Sequence, residues 1–276
     1  MTPLSRTTAA IGVAGGFAHV LVVGTLLSYF DYQVFRPTLS LVLLAPGVFF
    51  LGAFPLVVSV RTRLLIPGGG FLALATAVVV AEVTTPAPQK VGELGGHAIV
   101  DGPFYALQYA GSWYSWLSLL FVAGVVEFAI RRGYAIGDDR LRHLPDLPLS
   151  SDRLGTVVVV CSAVVGTAIV GLLVAGNLWD SILGYAIGFA AAAAATAVPV
   201  VALLARGLVA PLVLYCLVIT NTSRVHVFAD PDGLSMVFLG VMAGVFAIAA
   251  VIEWLGRSQL LGWDGGRFAA EVRLGQ

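Results

Sequence analysis

Charged residues are scarce in this 276-residue chain. They make up 11% of the sequence, whereas hydrophobic residues make up 59%. The mean hydropathy of +0.96 is too high for a protein whose surface faces water. Acidic and basic residues balance at 15 each, so there is no net positive field that would attract nucleic acid. The composition therefore predicts an integral membrane protein whose main partner is the lipid bilayer.

Cysteine and lysine are nearly absent. The two cysteines, Cys161 and Cys216, lie inside apolar runs, which argues against a disulfide framework and a cysteine-rich metal site. Lys90 is the single lysine and lies in a polar segment, which disfavours a retinal-binding protein. Phosphate-binding loops, HExxH, Gly-x-Ser-x-Gly and Cys-x-x-Cys are also missing. ATP hydrolysis and the common hydrolase mechanisms therefore have no support.

Long apolar runs are abundant instead. A run of about 20 residues can cross the roughly 30 Å hydrocarbon core as an α-helix. The first run is too long for the core of a signal peptide. The seventh is short, and it crosses only if the helix is continued by Ala205 or by the polar stretch Asn221, Thr222 and Ser223. The sequence predicts an all-α polytopic membrane protein with eight transmembrane helices, at 8–30, 38–60, 64–83, 113–130, 154–176, 182–204, 208–220 and 234–255.

The basic residues predict the orientation of these spans, because arginine and lysine favour the cytoplasmic side. With a cytoplasmic amino terminus, twelve of the fifteen basic residues fall inside, and only Arg36, Lys90 and Arg224 fall outside. The tryptophans all lie at span ends, as expected for aromatic belts at the membrane interfaces. We therefore expect a multi-pass protein of the plasma membrane with both termini in the cytoplasm.

The two halves of the chain share an order of features. Pro55 and Pro67 are twelve residues apart, as are Pro199 and Pro211. In each half a His-x-x-x-Asp segment follows, and then a glutamate with an arginine four residues later. This order predicts two parallel four-helix repeats related by a pseudo-twofold axis along the membrane normal.

The repeat implies a division of the chain. The stretch 102–112 within the outer loop has the composition of a short interfacial helix. The predicted parts are a first membrane repeat at 1–132 with a long outer loop at 84–112, a cytoplasmic linker at 133–153, and a second repeat with a cytoplasmic tail at 154–276.

The two His-x-x-x-Asp segments are the sharpest candidates for a metal site. His97 and Asp101 lie in the outer loop of the first half, and His226 and Asp230 lie in that of the second. If the pseudo-twofold brings the loops together, two imidazoles and two carboxylates would suit a divalent metal such as zinc, iron or manganese. The alternative is that each aspartate orients its histidine or caps the following helix.

Each half also places a carboxylate near the predicted inner end of its last span. Glu127 precedes Arg131 by four residues, and Glu253 precedes Arg257 by four. On a helix such pairs face each other. They are interpreted as ion pairs that fix helix depth, with a gate or proton-coupling acid as the alternative.

His19 lies in the middle of the first predicted span. A charged imidazolium would be costly there, so we expect a neutral ring hydrogen-bonded to a neighbouring helix. A haem or proton-relay ligand is the less favoured interpretation, because the predicted spans contain no second mid-span histidine.

Three classes of function remain open from the sequence. A transporter or channel-like carrier of a small solute or ion is favoured, because parallel repeats with proline-broken helices commonly enclose a midplane site. A membrane enzyme or redox subunit with an outer-face metal is the second class. An accessory or scaffold subunit of a membrane complex is the third, and GxxxG spacings such as Gly12 and Gly16 allow close helix packing within a chain or an oligomer.

Overall fold

Helices dominate the computed structural model, which describes residues 5–30, 38–86, 89–94, 97–178, 181–228 and 233–269. The described parts contain nine α-helices and one antiparallel hairpin. In chain order these are α1 (Arg6–Tyr29), α2 (Thr38–Thr62), α3 (Ile66–Thr84), β1 (Gln89–Leu94), β2 (His97–Asp101), α4 (Tyr105–Gly111), α5 (Trp113–Gly133), α6 (Ser151–Ala175), α7 (Ile182–Arg206), α8 (Ala210–Phe228) and α9 (Gly233–Leu261).

Seven of the described helices are long and apolar enough to cross a membrane: α1, α2, α3, α5, α6, α7 and α9. These confirm a polytopic helical membrane protein. The seventh predicted span corresponds to α8, whose apolar portion Ala210–Val225 is shorter than the others. This helix does continue through Asn221, Thr222 and Ser223 and ends only at Phe228, eight residues beyond the predicted end.

The chain divides into two compact units, Met1–Leu120 and Phe121–Gln276, with the division inside α5. Unit 1 contains α1 to α4 and the hairpin. Its helices α1 and α2 approach closely, because a Cβ on Gly52 would lie 2.7 Å from the His19 Cβ, and one on Gly16 would lie 2.6 Å from the Phe49 ring. This confirms the predicted glycine contact face of the first helix and sets His19 directly against α2.

The predicted long outer loop is more ordered than the sequence analysis expected. Its first part forms the hairpin, in which Leu94 pairs with His97. A two-residue Gly-Gly connection between short alternating segments is a hairpin signal. The hydropathy pattern did not predict this hairpin, because neither segment is apolar enough to span the membrane. The expectation of a short helix within 102–112 is confirmed by α4. Within α4, Ala106, Tyr109 and Ala110 are fully buried, and the helix packs against α1, α2 and α3.

Unit 2 contains the second part of α5 and the helices α6 to α9. Within it α7 packs against α6, α8 and α9, and the alanine-rich stretch of α7 forms much of the core. Helix α7 ends at Arg206 and is followed by Gly207, whose φ of +67° is a left-handed conformation that glycine adopts without strain. The amide of Gly207 donates to the Leu203 carbonyl, the single bond of an αL cap, and the amide of Leu208 donates to the Ala202 carbonyl.

Candidate functional site

Unit 1 contains a buried polar pair between His19 and Tyr109. The imidazole Nδ1 lies 2.8 Å from the Val48 carbonyl of α2, and Nε2 lies 3.0 Å from the Tyr109 hydroxyl of α4. Both side chains are buried. The expectation that His19 is hydrogen-bonded to a neighbouring helix is confirmed, and α4 supplies a partner that the sequence analysis did not identify.

The two partners determine the tautomer of the ring. A carbonyl oxygen can only accept, so Nδ1 carries the proton and donates to Val48. Nε2 is then an acceptor, and the Tyr109 hydroxyl donates to it. Burial raises the pKa of Tyr109, which keeps the phenol protonated and able to donate. The pair is therefore a neutral chain of hydrogen bonds inside the helix bundle.

Aromatic rings surround this pair. The His19 ring meets Phe71 edge to face at 4.9 Å between centroids, and Tyr109 lies 6.3 Å from Trp116. His19 is near the middle of α1 and not at either end. Tyr109 therefore reaches the interior of the bundle from a helix of only seven residues.

Glu82 of α3 holds the start of α4. Its Oε2 accepts a hydrogen bond of 2.7 Å from the Ala106 amide, which lies in the first turn of α4. The N-cap residue Phe104 provides no side-chain cap of its own. A buried glutamate from another helix thus supplies the missing acceptor at this helix terminus. Sequence analysis did not identify Glu82, although a carboxylate inside an otherwise apolar span is a recognisable signal.

Two hydrogen-bonding side-chain atoms of α4 and the start of α5 have no partner in the described structure. They are Oε1 of Gln108 and Oγ of Ser115, and both atoms are buried. The neighbouring serines are satisfied, because Ser112 donates to the Gln108 carbonyl and Ser118 donates to the Ser115 carbonyl. Gln108, Ser112 and Ser115 recur at intervals of four and three residues through the α4–α5 turn. Gln108 Oε1 and Ser115 Oγ are therefore unpaired in a region where the neighbouring serine hydroxyls are hydrogen-bonded.

The side chains of the predicted metal ligands lie outside what the structure describes. His97 and Asp101 begin and end β2, and His226 lies in α8, but none of these three side chains is among those described. Asp230 lies outside the described residues. Within the described part of the chain, no group of three or more His, Cys, Asp or Glu side chains is arranged to hold a metal ion. The shared His and Asp site stays a prediction.

The first predicted ion pair is present in α5. Arg131 Nη1 lies 3.1 Å from Glu127 Oε1, and both side chains are largely shielded from solvent. Arg131 also donates to the carbonyls of Ile136 and Gly137 just beyond the helix. The guanidinium therefore ties the end of α5 to the segment that follows it.

The second predicted ion pair belongs to a larger network in unit 2. Arg257 Nη2 lies 2.6 Å from Glu253 Oε1 on α9. The same carboxylate accepts from the amides of Val209 at 3.1 Å and Ala210 at 2.7 Å, at the start of α8. Arg257 also donates to the Tyr134 hydroxyl and to the Gly207 carbonyl. Glu253 is thus both an ion-pair partner and the cap of α8.

Tyr134 was missed by the sequence analysis. Its hydroxyl donates to the Gly207 carbonyl and accepts from Arg257. No local sequence pattern predicts this role, because the partners of Tyr134 lie 73 and 123 residues away in sequence.

Comparison with known proteins adds no further assignment, since no family model, no curated protein and no solved structure matches the chain.

Proposed function

We propose that the protein is a transporter or channel-like carrier for a small, uncharged, polar solute. The observation that carries this proposal is the buried helix α4, which brings Tyr109 to His19, together with two buried atoms of the α4–α5 region, Gln108 Oε1 and Ser115 Oγ, that have no partner in the described structure. A short helix buried among spanning helices is the kind of element that lines solute pathways, because interrupted helices expose polar groups at membrane depth.

Unpaired polar atoms are costly in such a place. A buried hydroxyl or amide oxygen without a partner is disfavoured by about 1–3 kcal/mol in proteins, so these positions favour occupancy by water or by a hydrogen-bonding ligand. Ser115 offers a donor and an acceptor, and Gln108 Oε1 offers an acceptor. A solute bearing hydroxyl or amide groups matches both.

The charge balance of this region favours a neutral solute. His19 is neutral in its hydrogen-bonded state, and the buried carboxylate of Glu82 is engaged by the Ala106 amide. Among the described residues of unit 1, His19 and Glu82 are the buried ionisable side chains of the spans. An ion would lack a formal counter-charge beside Ser115, and burial of an uncompensated charge is far more costly than burial of a polar group.

The eighth span is also part of the proposal. Trp263, just after α9, donates to the Arg206 carbonyl at the end of α7, so the ends of these two spans lie together. The length of α9, a full candidate span, supports a path in which α8 leads from this end of unit 2 to the other. Its 19 residues amount to about 28 Å of helix at 1.5 Å per residue. That length is close to the thickness of the hydrocarbon core.

An even number of spans gives both termini to one side, and the arginine distribution assigns that side to the cytoplasm of a plasma-membrane protein. The arrangement as two parallel four-helix repeats is proposed with it. In support, Pro67 and Pro211 are each the second residue of a helix of 19 residues, α3 and α8, and an i,i+4 Glu–Arg pair lies near the end of α5 and of α9.

The direct test is solute flux into vesicles that contain the purified full-length protein. Mixing with excess glycerol or urea and following light scattering reports the swelling that accompanies solute entry. We expect faster swelling than in protein-free vesicles, and slower swelling for Ser115→Ala and Tyr109→Phe. Ser118→Ala is the matched control, since its hydroxyl is paired with the backbone. Swelling no faster than in protein-free vesicles for a panel of small neutral solutes would overturn the proposal.

A further inference from the structure

The segment after α9 folds back onto the end of unit 2. This segment, residues 262–269, is called the clasp here. Its Trp263 indole donates to the Arg206 carbonyl at 3.1 Å, and its ring stacks on Tyr134 at 6.3 Å with 19° between the planes. The Arg257 guanidinium lies 5.6 Å from the centroid of the same indole ring. The clasp therefore contacts the network that surrounds the start of α8.

Phe268 is the buried anchor of the clasp. Its side chain is 2% exposed and meets the Tyr134 ring edge to face at 5.3 Å. A Cβ on Gly133 would lie 1.8 Å from the Phe268 ring, and a Cβ on Gly207 would lie 2.6 Å from it. The ring fills a slot that exists because glycine occupies both positions.

Gly207 links the clasp to α8. Its left-handed conformation turns the chain between α7 and α8, and its carbonyl accepts from both Tyr134 and Arg257. Immediately after it, the amides of Val209 and Ala210 are capped by Glu253. Phe268 thus packs on the turn from which α8 begins. Tyr134, Arg257 and Glu253 hold the same turn through hydrogen bonds.

The remaining clasp contact is exposed. Arg267 pairs with Asp138 at 2.9 Å, and the arginine side chain is 58% exposed. Ion pairs of this kind contribute little to stability. The clasp is therefore held by one buried ring, by the Trp263 indole through its hydrogen bond and its contacts with Tyr134 and Arg257, and by one weak ion pair, a set that can open without unfolding the helices.

We propose that the clasp is a releasable latch that holds the α7–α8 turn in place and restrains movement of α8 relative to α7. The observation behind it is the convergence of Phe268, Trp263 and Arg267 on that turn and its neighbours. Release frees the Gly207 slot and removes the indole partner of the Arg206 carbonyl. The turn then gains freedom while α6 and the core of α7 keep their packing.

Hydrogen–deuterium exchange of the full-length protein in detergent tests this inference, and it needs no solute. Phe268→Ala is expected to speed exchange across 207–212 by at least about tenfold while leaving 160–172 of α6 unchanged, as in local rather than global opening. Arg267→Ala should give a smaller increase in the same peptide, and it serves as the second variant if Phe268→Ala does not fold. Leu260→Ala, at a side chain 84% exposed next to the clasp, is the control and should match the wild type.

Two outcomes would overturn the latch. Exchange across 207–212 that is unchanged in both clasp variants would show that the turn is held without the clasp. Equal acceleration in α6 and in 207–212 would show a purely structural role in the stability of unit 2. Neither outcome bears on solute flux through unit 1, so failure of the latch and failure of the proposed carrier function are separately visible.

Discussion

A neutral histidine inside a helix bundle needs a partner for each ring nitrogen, because a buried nitrogen without one is costly. His19 has both partners, a backbone carbonyl for Nδ1 and a phenol for Nε2. The phenol comes from a residue 90 positions away in sequence. The pair therefore stabilises the folding of α4 onto α1 as well as the state of the ring.

Tyr109→Phe should destabilise the protein by about 1–3 kcal/mol, since it leaves Nε2 buried without a donor. The measurement is the thermal unfolding midpoint of the purified protein in detergent. Tyr29→Phe is the matched control, because the Tyr29 side chain is 80% exposed and its loss should not lower the midpoint. An unchanged midpoint for Tyr109→Phe would show that the hydrogen bond to His19 does not stabilise the protein.

Sequence analysis foresaw the state of His19 but not its partner. The cost of charge at membrane depth applies to any mid-span histidine, so neutrality and a hydrogen bond follow from position alone. The identity of the partner depends on tertiary packing, and Tyr109 lies in a segment that is too short and too polar to be recognised as part of a span. The same reason hid Tyr134, whose partners come from other helices.

Gly207→Ala should be strongly destabilising, because alanine is strained at a φ of +67° and its Cβ would clash with the Phe268 ring. We expect a loss of about 2 kcal/mol or more, measured by unfolding with SDS. In the Phe268→Ala background the added cost of Gly207→Ala should fall, since the steric part is gone. Gly256→Ala, where a Cβ meets open space, is the control and should be neutral.

At the scale of elements, α8 shows how a helix that sequence alone describes poorly is completed by its neighbours. The sequence predicted a short span at 208–220, because the polar residues from Asn221 onward ended the apolar run. The helix continues regardless, and its start is held by Glu253 from α9. Pro211 suits this position, since a proline in the first turn lacks an amide that would have no partner there.

Glu253→Gln is expected to destabilise α8 selectively. An amide offers one acceptor oxygen where the carboxylate offers two, and it no longer neutralises Arg257, so a loss of about 1–3 kcal/mol is expected. Faster hydrogen exchange of the Val209 and Ala210 amides is the accompanying local signature. Ile252→Ala, at an exposed neighbouring position of α9, should leave both measurements near the wild type.

The hairpin and α4 mark the limit of hydropathy as a guide to elements. The membrane spans can be predicted from hydropathy, because burial in lipid requires about 20 apolar residues in a row. A hairpin and a seven-residue helix have no such requirement. The hairpin forms from a local turn signal, and α4 forms through its contacts with α1, α2 and α3. The region that carries the proposed solute site is therefore the one that composition describes least well.

At the scale of the whole molecule, the scarcity of charge, the helix lengths and the arginine distribution are all features expected of a chain inserted into a lipid bilayer. Seven of the described helices are apolar over a membrane thickness, and polar groups within them are paired with backbone or with one another in most cases. Whether the chain crosses seven or eight times depends on α8, because its crossing decides on which side the end of α9 emerges. The proposed cytoplasmic position of the clasp depends on the same point.

Side-specific labelling of single cysteines, in a background with Cys216 replaced by serine, measures this directly. Cysteine is introduced in turn at Ser5, Ile136, Ser181 and Leu260, which are exposed positions near helix ends. In sealed right-side-out vesicles, an impermeant maleimide should label the cysteine at 181 and spare those at 5, 136 and 260 until the membrane is permeabilised. Labelling of 260 together with 181, while 5 and 136 stay protected, would mean that α8 does not cross and would contradict the eight-span architecture.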